Sequence, residues 1–350
     1  MKNFIFVSLI LAVTLCLSGC QSMWYLFLSC VVDVAPDRFT FEESNTQLSI
    51  PVFTSYPLEN TNKELKRLIV IVHGAGLNAG KSFDTGNLIV DALGESKDQY
   101  MVVAPQFLEG IKPEEKGLLF WDRQWRSGGV SLSEELNEGL PSVSSFEVMD
   151  RLIRFVAESN SNIHQVILMG HSAGGQFVSR YAALNNYHEN LKKQGVLVYY
   201  IVANPSSYLY LDATRYQLNQ NGEILKRSRD ELANCDGYND YKYGLENRYG
   251  YANSITKLDI QDRLTNRPII FLLGQEDTER SWSLDKSCEV EVQGENRYER
   301  GWLYRHHLQS FVNDGQNSKH HWMIIPDVGH DSSEMFTYKN VVEKLKTLTQ

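Results

Sequence analysis

A G-x-S-x-G motif at residues 170–174, Gly-His-Ser-Ala-Gly, places a serine where it can act as a nucleophile. The sequence pattern predicts a buried strand over 165–169 directly before the motif and a helix over 175–184 directly after it. At such a junction both glycines are needed, because a Cβ at either position would clash with the strand or the helix. The serine Oγ is then exposed at a helix N-terminus, where partial positive charge favours developing anions. The motif therefore predicts Ser172 as a nucleophile.

A serine nucleophile needs a base to take its proton, and the usual base is a neutral histidine held by a carboxylate. Of the nine histidines, His330 alone lies in a turn after the last predicted strand, 321–325. Asp277 follows the preceding strand, 268–273, and is the best-placed acid, with Glu276 beside it as the alternative. Ligands collect at the carboxyl ends of strands in parallel sheets. The sequence thus predicts a catalytic triad in the chain order Ser, Asp, His.

Two backbone N–H groups must also stabilise the oxyanion that forms when a serine attacks a carbonyl. The amide of Ala173, directly after the nucleophile, is expected to be one donor. The second is expected from the segment 73–76, His-Gly-Ala-Gly, which follows a continuous apolar strand over 68–72. Either Ala75 or Gly76 can supply it.

Strands and helices alternate along most of the chain, which favours a mostly parallel, doubly wound α/β sheet flanked by helices. An edge hairpin is predicted first, over 38–43 and 46–54. The other predicted strands cover 68–72, 100–104, 165–169, 196–203, 268–273 and 321–325, and the predicted helices cover 84–93, 144–156, 175–184, 297–311 and 333–348.

Two segments do not fit this alternation. Residues 206–266 contain eight tyrosines and few aliphatic residues, and we interpret them as an insertion after the sixth strand that serves as a lid or simply as packing. Residues 106–143 form a long irregular stretch, and loops of this length are more often functional than idle. Its aromatic and basic side chains either line a substrate cleft or form core packing and ion pairs. The candidate cleft residues are His73, His171, Trp121, Trp125 and Arg126.

The chain of 350 residues has a net charge of −9 and no basic run, which argues against nucleic-acid binding. Its first residues have the pattern of a targeting signal, with Lys2 followed by an apolar segment over 4–17. Leu17-Ser18-Gly19-Cys20 resembles a bacterial lipobox, which implies cleavage before Cys20 and a lipid anchor there. The residue after it, Gln21, implies sorting to the outer membrane. A plain secretory signal and an uncleaved anchor are the alternatives, because 23–32 is also apolar.

On this interpretation the chain divides into a signal peptide over 1–19, a tether over 20–37 and one domain over 38–350, exported and attached to the membrane through its lipid. Cys235 and Cys288 are the two cysteines in the body of the domain. An exported compartment is oxidising, so these cysteines are expected to form a disulfide, the alternative being two separate buried thiols.

The order Ser172, Asp277, His330 resembles that of the α/β-hydrolase superfamily. The resemblance covers residues 65–350 and depends on four motifs, HGAG, GHSAGG, GQED and GH. It implies the α/β-hydrolase fold and acyl transfer through a covalent acyl-enzyme without a cofactor. The expected reaction is hydrolysis of a small-molecule or polymeric carboxylic ester.

Two other functions remain open. The same motifs suit a serine peptidase of the prolyl-oligopeptidase-like branch, although the chain has no room for the propeller domain usual there. A non-catalytic surface lipoprotein could also keep this fold as a binding platform. The pairs His306-His307 and His320-His321 lack metal-ligand spacing, because adjacent side chains point in different directions, so no metal site is expected. The oligomeric state stays open.

Overall fold

Eight strands form the central sheet in the computed structural model, which describes residues 33–59, 62–110, 115–133, 137–281, 283–312 and 319–349. In chain order the strands are β1 (Asp37–Glu43), β2 (Thr46–Thr54), β3 (Arg67–Val72), β4 (Tyr100–Pro105), β5 (Gln165–His171), β6 (Leu197–Ala203), β7 (Ile269–Gly274) and β8 (His320–Ile325). Their order across the sheet is β1-β2-β4-β3-β5-β6-β7-β8. The pairs β1–β2 and β2–β4 are antiparallel, and every later pair is parallel. The predicted mostly parallel sheet is confirmed.

Every residue of β3 and of β5 is buried. Continuous apolar runs of this kind are typical of parallel strands that helices cover on both faces. Ile69 and Met169 belong to a core on one face, together with residues of the first and the last two helices. Their neighbours in sequence, such as Leu68 and Val70, point to the opposite face because side chains alternate along a strand.

Ten α-helices connect or cover the strands in the described part of the chain. They are α1 (Ala79–Leu93), α2 (Ser145–Ser159), α3 (Ala173–Leu184), α4 (Tyr187–Lys193), α5 (Arg229–Leu232), α6 (Lys257–Asn266), α7 (Cys288–Glu291), α8 (Arg297–Gln309), α9 (Ser332–Thr337) and α10 (Lys339–Thr349). Within these described residues, no helix has the length and hydropathy that crossing a bilayer requires. The predicted signal peptide and the lipidation residue Cys20 lie outside the described residues.

Two helices differ by more than three residues from what was predicted. The first was predicted to begin at Asp84, but α1 begins five residues earlier because the Asn78 side chain accepts a hydrogen bond from the Lys81 N–H at 2.7 Å and caps it. The single helix predicted over 333–348 is two helices, α9 and α10, because Tyr338 between them leaves the helical conformation with ψ 134°.

Short elements occupy the two irregular segments. In the first, Leu108–Glu109 pairs in parallel with Phe120–Trp121, and a 3₁₀-helix follows at Arg123–Ser127. In the second, Tyr216–Leu218 and Ile224–Lys226 form a hairpin. The last ten residues of the predicted insertion form α6, which is the helix that leads into β7, so the extra structure over the sheet ends before Lys257.

A disulfide between Cys235 and Cys288 joins the tyrosine-rich segment to the chain that follows β7, as predicted. It closes a loop of 53 residues, and restricting a loop of that length in the unfolded chain is worth about 2–4 kcal/mol. We therefore expect the double variant Cys235→Ser/Cys288→Ser to lose about 2–4 kcal/mol in the free energy of unfolding, measured by urea titration. Reduction of the unmodified protein should cause the same loss, and a double variant of unchanged stability would contradict the prediction.

Candidate active site

Ser172 occupies the turn between β5 and α3 and has the left-handed backbone angle φ 58°. The turn is crowded, since a Cβ on Gly174 would lie 2.1 Å from the carbonyl oxygen of Val72. A Cβ on Gly170 would lie 2.3 Å from the carbonyl oxygen of Gly174. The Ser172 N–H donates to the carbonyl of Ala203 at 2.9 Å, which ties the turn to the end of β6. The glycines of the motif are therefore required by close backbone approach, as the sequence indicated.

The three side chains predicted from separate strand ends form one chain of hydrogen bonds. His330 Nε2 lies 3.0 Å from Ser172 Oγ, and His330 Nδ1 lies 2.7 Å from Asp277 Oδ2. In the tautomer that satisfies both contacts, Nδ1–H donates to the carboxylate and Nε2 accepts from the serine hydroxyl. Glu276 is exposed, whereas the Asp277 side chain is 1% exposed. Of the two candidate acids, the structure places Asp277 against His330.

Asp277 has a second charged partner, Arg297, at the first position of α8. Arg297 Nη1 lies 3.5 Å from Asp277 Oδ1, and both side chains are 1% exposed. The guanidinium also donates to Ser283 Oγ at 3.1 Å. A buried carboxylate is costly unless it is paired, so Arg297 stabilises the ionised acid behind His330. Sequence reasoning missed this residue, and its one signal is a basic side chain at a helix N-terminus, which the helix dipole disfavours.

The turn predicted to supply an oxyanion-binding amide begins at Gly74, next to the nucleophile. Ala75 and Gly76 form an exposed turn after β3, and a Cβ built on Gly74 would lie 3.9 Å from the Cβ of Ser172. Ala173 is the first residue of α3. Within the described residues, no acceptor is bonded to the N–H of Ala75, Gly76 or Ala173. Which amide of the turn serves as the second donor stays a prediction.

Three of the five residues predicted as candidates for the cleft belong to the core instead. His73, Trp121 and Trp125 are fully buried, so none of them presents a surface to a substrate. His73 Nδ1–H donates to the carbonyl of Gly74 at 2.8 Å, and its Nε2 accepts from the Phe107 N–H at 3.0 Å. These bonds fix the turn that carries Ala75 and Gly76, which is a positioning role. The aromatic residues were ambiguous in sequence because large rings occur both in cores and in clefts.

The other two candidates are placed differently. Arg126 is 18% exposed and pairs with Glu109 at 2.7 Å, so its charge is largely satisfied within the protein. His171 is buried, and its ring packs on that of His330 with 4.4 Å between centroids.

Burial lowers the pKa of His73 to about 4, from 6.5. The unfolded chain therefore binds a proton between pH 6.5 and 4 that the folded protein does not, and His73 costs stability as the pH falls through that window. The loss amounts to about 3 kcal/mol at the acid end. We expect His73→Gln to show a smaller fall in the free energy of unfolding between pH 6.5 and 4, measured by urea titration.

The comparison is between the variant and the parent, each followed as the free energy of unfolding against pH, because other buried groups titrate in the same range. Burial raises the pKa of Asp150 to about 6, which gives the opposite slope, and it lowers the pKa of His188 to about 3. Both effects are common to the two proteins. Identical slopes would show that His73 is not held neutral.

No protein-family model and no curated protein matches the chain, but solved structures do. A poly(3-hydroxybutyrate) depolymerase from Bordetella parapertussis matches with a TM-score of 0.56 and 17% identity, over 91% of this chain and 89% of that chain. The poly(aspartic acid) hydrolase-1 of a Sphingomonas species, strain KT-1, matches with a TM-score of 0.58 and 19% identity, over 91% of this chain and 99% of that one. Together with the sheet order and the position of Ser172, these likenesses show that the chain has the α/β-hydrolase fold.

Proposed function

We propose that this protein is a serine hydrolase of the cell envelope that cleaves carboxylic esters through an acyl-enzyme. The observation that carries the proposal is the hydrogen-bonded series from the buried carboxylate of Asp277 through His330 to the hydroxyl of Ser172. The two matched structures are described as a depolymerase and a hydrolase, which supports hydrolysis as the reaction class. The Cys235–Cys288 disulfide supports an oxidising compartment.

In the first step Ser172 Oγ attacks the ester carbonyl carbon while His330 Nε2 takes the hydroxyl proton. The imidazolium that forms lies against Asp277, whose negative charge stabilises it and holds its orientation. The carbonyl oxygen becomes an oxyanion next to the amides of Ala173 and of the turn at Ala75 and Gly76. His330 then gives its proton to the departing alcohol, which leaves Ser172 acylated.

The second step repeats this sequence with water as the nucleophile. His330 takes a proton from water, the hydroxide attacks the acyl carbon, and the proton returns to Ser172 Oγ as the acid leaves. His330 is 28% exposed, so water and substrate can reach it, whereas Asp277 is shielded. An acceptor imidazole that is open on one side and bound to a buried carboxylate on the other suits both steps.

Labelling with a fluorophosphonate probe tests the proposal directly. The probe reacts with activated serine hydroxyls, so we expect a covalent adduct on a peptide containing Ser172, together with hydrolysis of p-nitrophenyl acetate. Labelling with hydrolysis of peptide amides and not of esters would favour a serine peptidase. Absence of labelling and of hydrolysis would favour a non-catalytic binding protein and overturn the proposal.

A further inference from the structure

Asn204 directly follows β6, at the edge of the sheet where the triad lies, and it is fully buried. The residue before it, Ala203, accepts the hydrogen bond from the Ser172 N–H at 2.9 Å. In the sheet, β6 lies between β5, which leads to the nucleophile, and β7, which leads to the acid. Asn204 is therefore placed where the nucleophile and the acid–base pair must be joined.

The side chain of Asn204 bonds both segments that carry the other two triad residues, the acid loop (275–277) and the base turn (326–330). Its Oδ1 accepts from the N–H of Gly274 at 2.9 Å, directly before the acid loop. Its Nδ2–H donates to the carbonyl of Gly329 at 3.4 Å, and Gly329 directly precedes His330. Because an N–H can donate only to the amide oxygen, the first bond fixes which way the amide points.

The acid loop and the base turn are also joined directly, by two backbone hydrogen bonds. The Gln275 N–H donates to the carbonyl of Ile325 at 2.9 Å, and the Glu276 N–H donates to the carbonyl of Val328 at 3.0 Å. These bonds hold the carboxylate and the imidazole as one pair, but neither of them reaches β5. The end of β6 provides a link between that pair and the nucleophile.

The packing around this link is close. A Cβ on Gly274 would lie 2.6 Å from the carbonyl oxygen of Val328 and 2.9 Å from Asn204 Nδ2. Because so little space separates these groups, removing the amide would leave a gap into which the base turn could shift. A displacement of about 1 Å in a reacting group costs about 10²-fold in rate.

The backbone of Asn204 has φ 40°, in the left-handed region that favours glycine. Asparagine tolerates this conformation better than most residues, although less well than glycine. Glycine would therefore suit the backbone better, but it would supply no amide. Strain of this kind concentrates at functional sites, and here it indicates that the side chain is what the site requires.

From the buried amide, its two hydrogen bonds and the strained backbone, we propose that Asn204 is a positioning residue that holds His330 at hydrogen-bond distance from Ser172. It does so by fastening the acid loop and the base turn to the end of β6. Its amide bonds backbone groups of these two segments, so it acts through His330 and takes no part in the chemistry itself. This inference depends on the proposed esterase function.

The test compares Asn204→Gly and Asn204→Ala with the parent, using kcat and KM for p-nitrophenyl acetate well below the unfolding temperature. Both variants lose the two side-chain bonds, so kcat should fall about 10²-fold in each, with KM within about threefold. The rate of fluorophosphonate labelling at Ser172 should fall by a similar factor, because the same base activates the serine.

Stability separates positioning from a merely structural role. Alanine at residue 204 keeps the backbone strain and glycine relieves it, so the midpoint of thermal unfolding should be lower for Asn204→Ala. An equal loss of kcat in two variants of different stability is a result that a merely structural role would not give.

Asn160→Ala is the matched control, because Asn160 is also a buried asparagine whose amide donates to a backbone carbonyl, that of Val156 at 2.9 Å. It follows α2, at the opposite end of β5 from Ser172, and its variant should keep kcat within about threefold.

If the variants at residue 204 keep kcat within threefold, or if their loss of kcat follows their loss of stability, the positioning role is wrong and the esterase stands. Asn204→Asp keeps the acceptor and tolerates the left-handed backbone but loses the donor, and it replaces the other two variants if neither folds. It should lower kcat at least tenfold, and a kcat within threefold of the parent would overturn the proposal. Absence of hydrolysis and of labelling in the unmodified protein would instead remove the esterase function and this role with it.

Discussion

Ser172→Ala is expected to lower kcat for ester hydrolysis by about 10⁴- to 10⁶-fold, because alanine has no hydroxyl to form the acyl-enzyme. The remaining rate would come from binding and from the backbone amides near Ala75 and Ala173 alone. The elbow itself should survive, because the bond from the residue 172 N–H to the carbonyl of Ala203 does not involve the side chain. Initial rates with p-nitrophenyl acetate measure the change.

Thermal unfolding should show that the alanine variant is as stable as the parent, which separates a chemical loss from a structural one. Ser161→Ala, which changes an exposed serine in the turn before β5, at the opposite end of that strand from Ser172, should keep full activity. If Ser172→Ala turned over at the parent rate, the nucleophile would have to be another residue.

Asp277→Asn is expected to lower kcat by about 10⁴-fold at neutral pH. An amide that turns its NH₂ toward His330 favours the wrong imidazole tautomer, and the neutral group no longer stabilises the imidazolium that forms when Ser172 loses its proton. The substitution also leaves the guanidinium of Arg297 buried without its carboxylate, so some loss of stability should accompany the loss of activity.

Glu276→Gln is the matched control, since it makes the same chemical change on the neighbouring residue. The Glu276 side chain is exposed, so its variant should keep kcat within about threefold of the parent. If Glu276→Gln lost activity and Asp277→Asn did not, the acid would be Glu276 and the bond between Asp277 and His330 would have no catalytic part.

The triad was predictable from sequence because each member directly follows an apolar strand, and strand ends of one parallel sheet meet at one edge. Arg297 was not predictable in this way. Its role depends on how α8 packs against the loop after β7, and no local sequence pattern indicates that packing. The burial of Trp121 and Trp125 was equally unpredictable, since residue type alone does not distinguish a ring that lines a cleft from a ring that is buried in the core. The early start of α1 had a visible signal in Asn78, a common N-cap residue.

The backbone at Ser172 has a consequence for how this protein could become more heat-tolerant. A non-glycine residue held at φ 58° and ψ −117° costs roughly 1–3 kcal/mol, and glycine would relieve much of that cost. A lineage selected for thermal tolerance alone would therefore gain from glycine at residue 172, which would also remove the nucleophile. If the serine nucleophile is kept, stabilising substitutions must occur elsewhere in the domain, at positions that do not alter this turn.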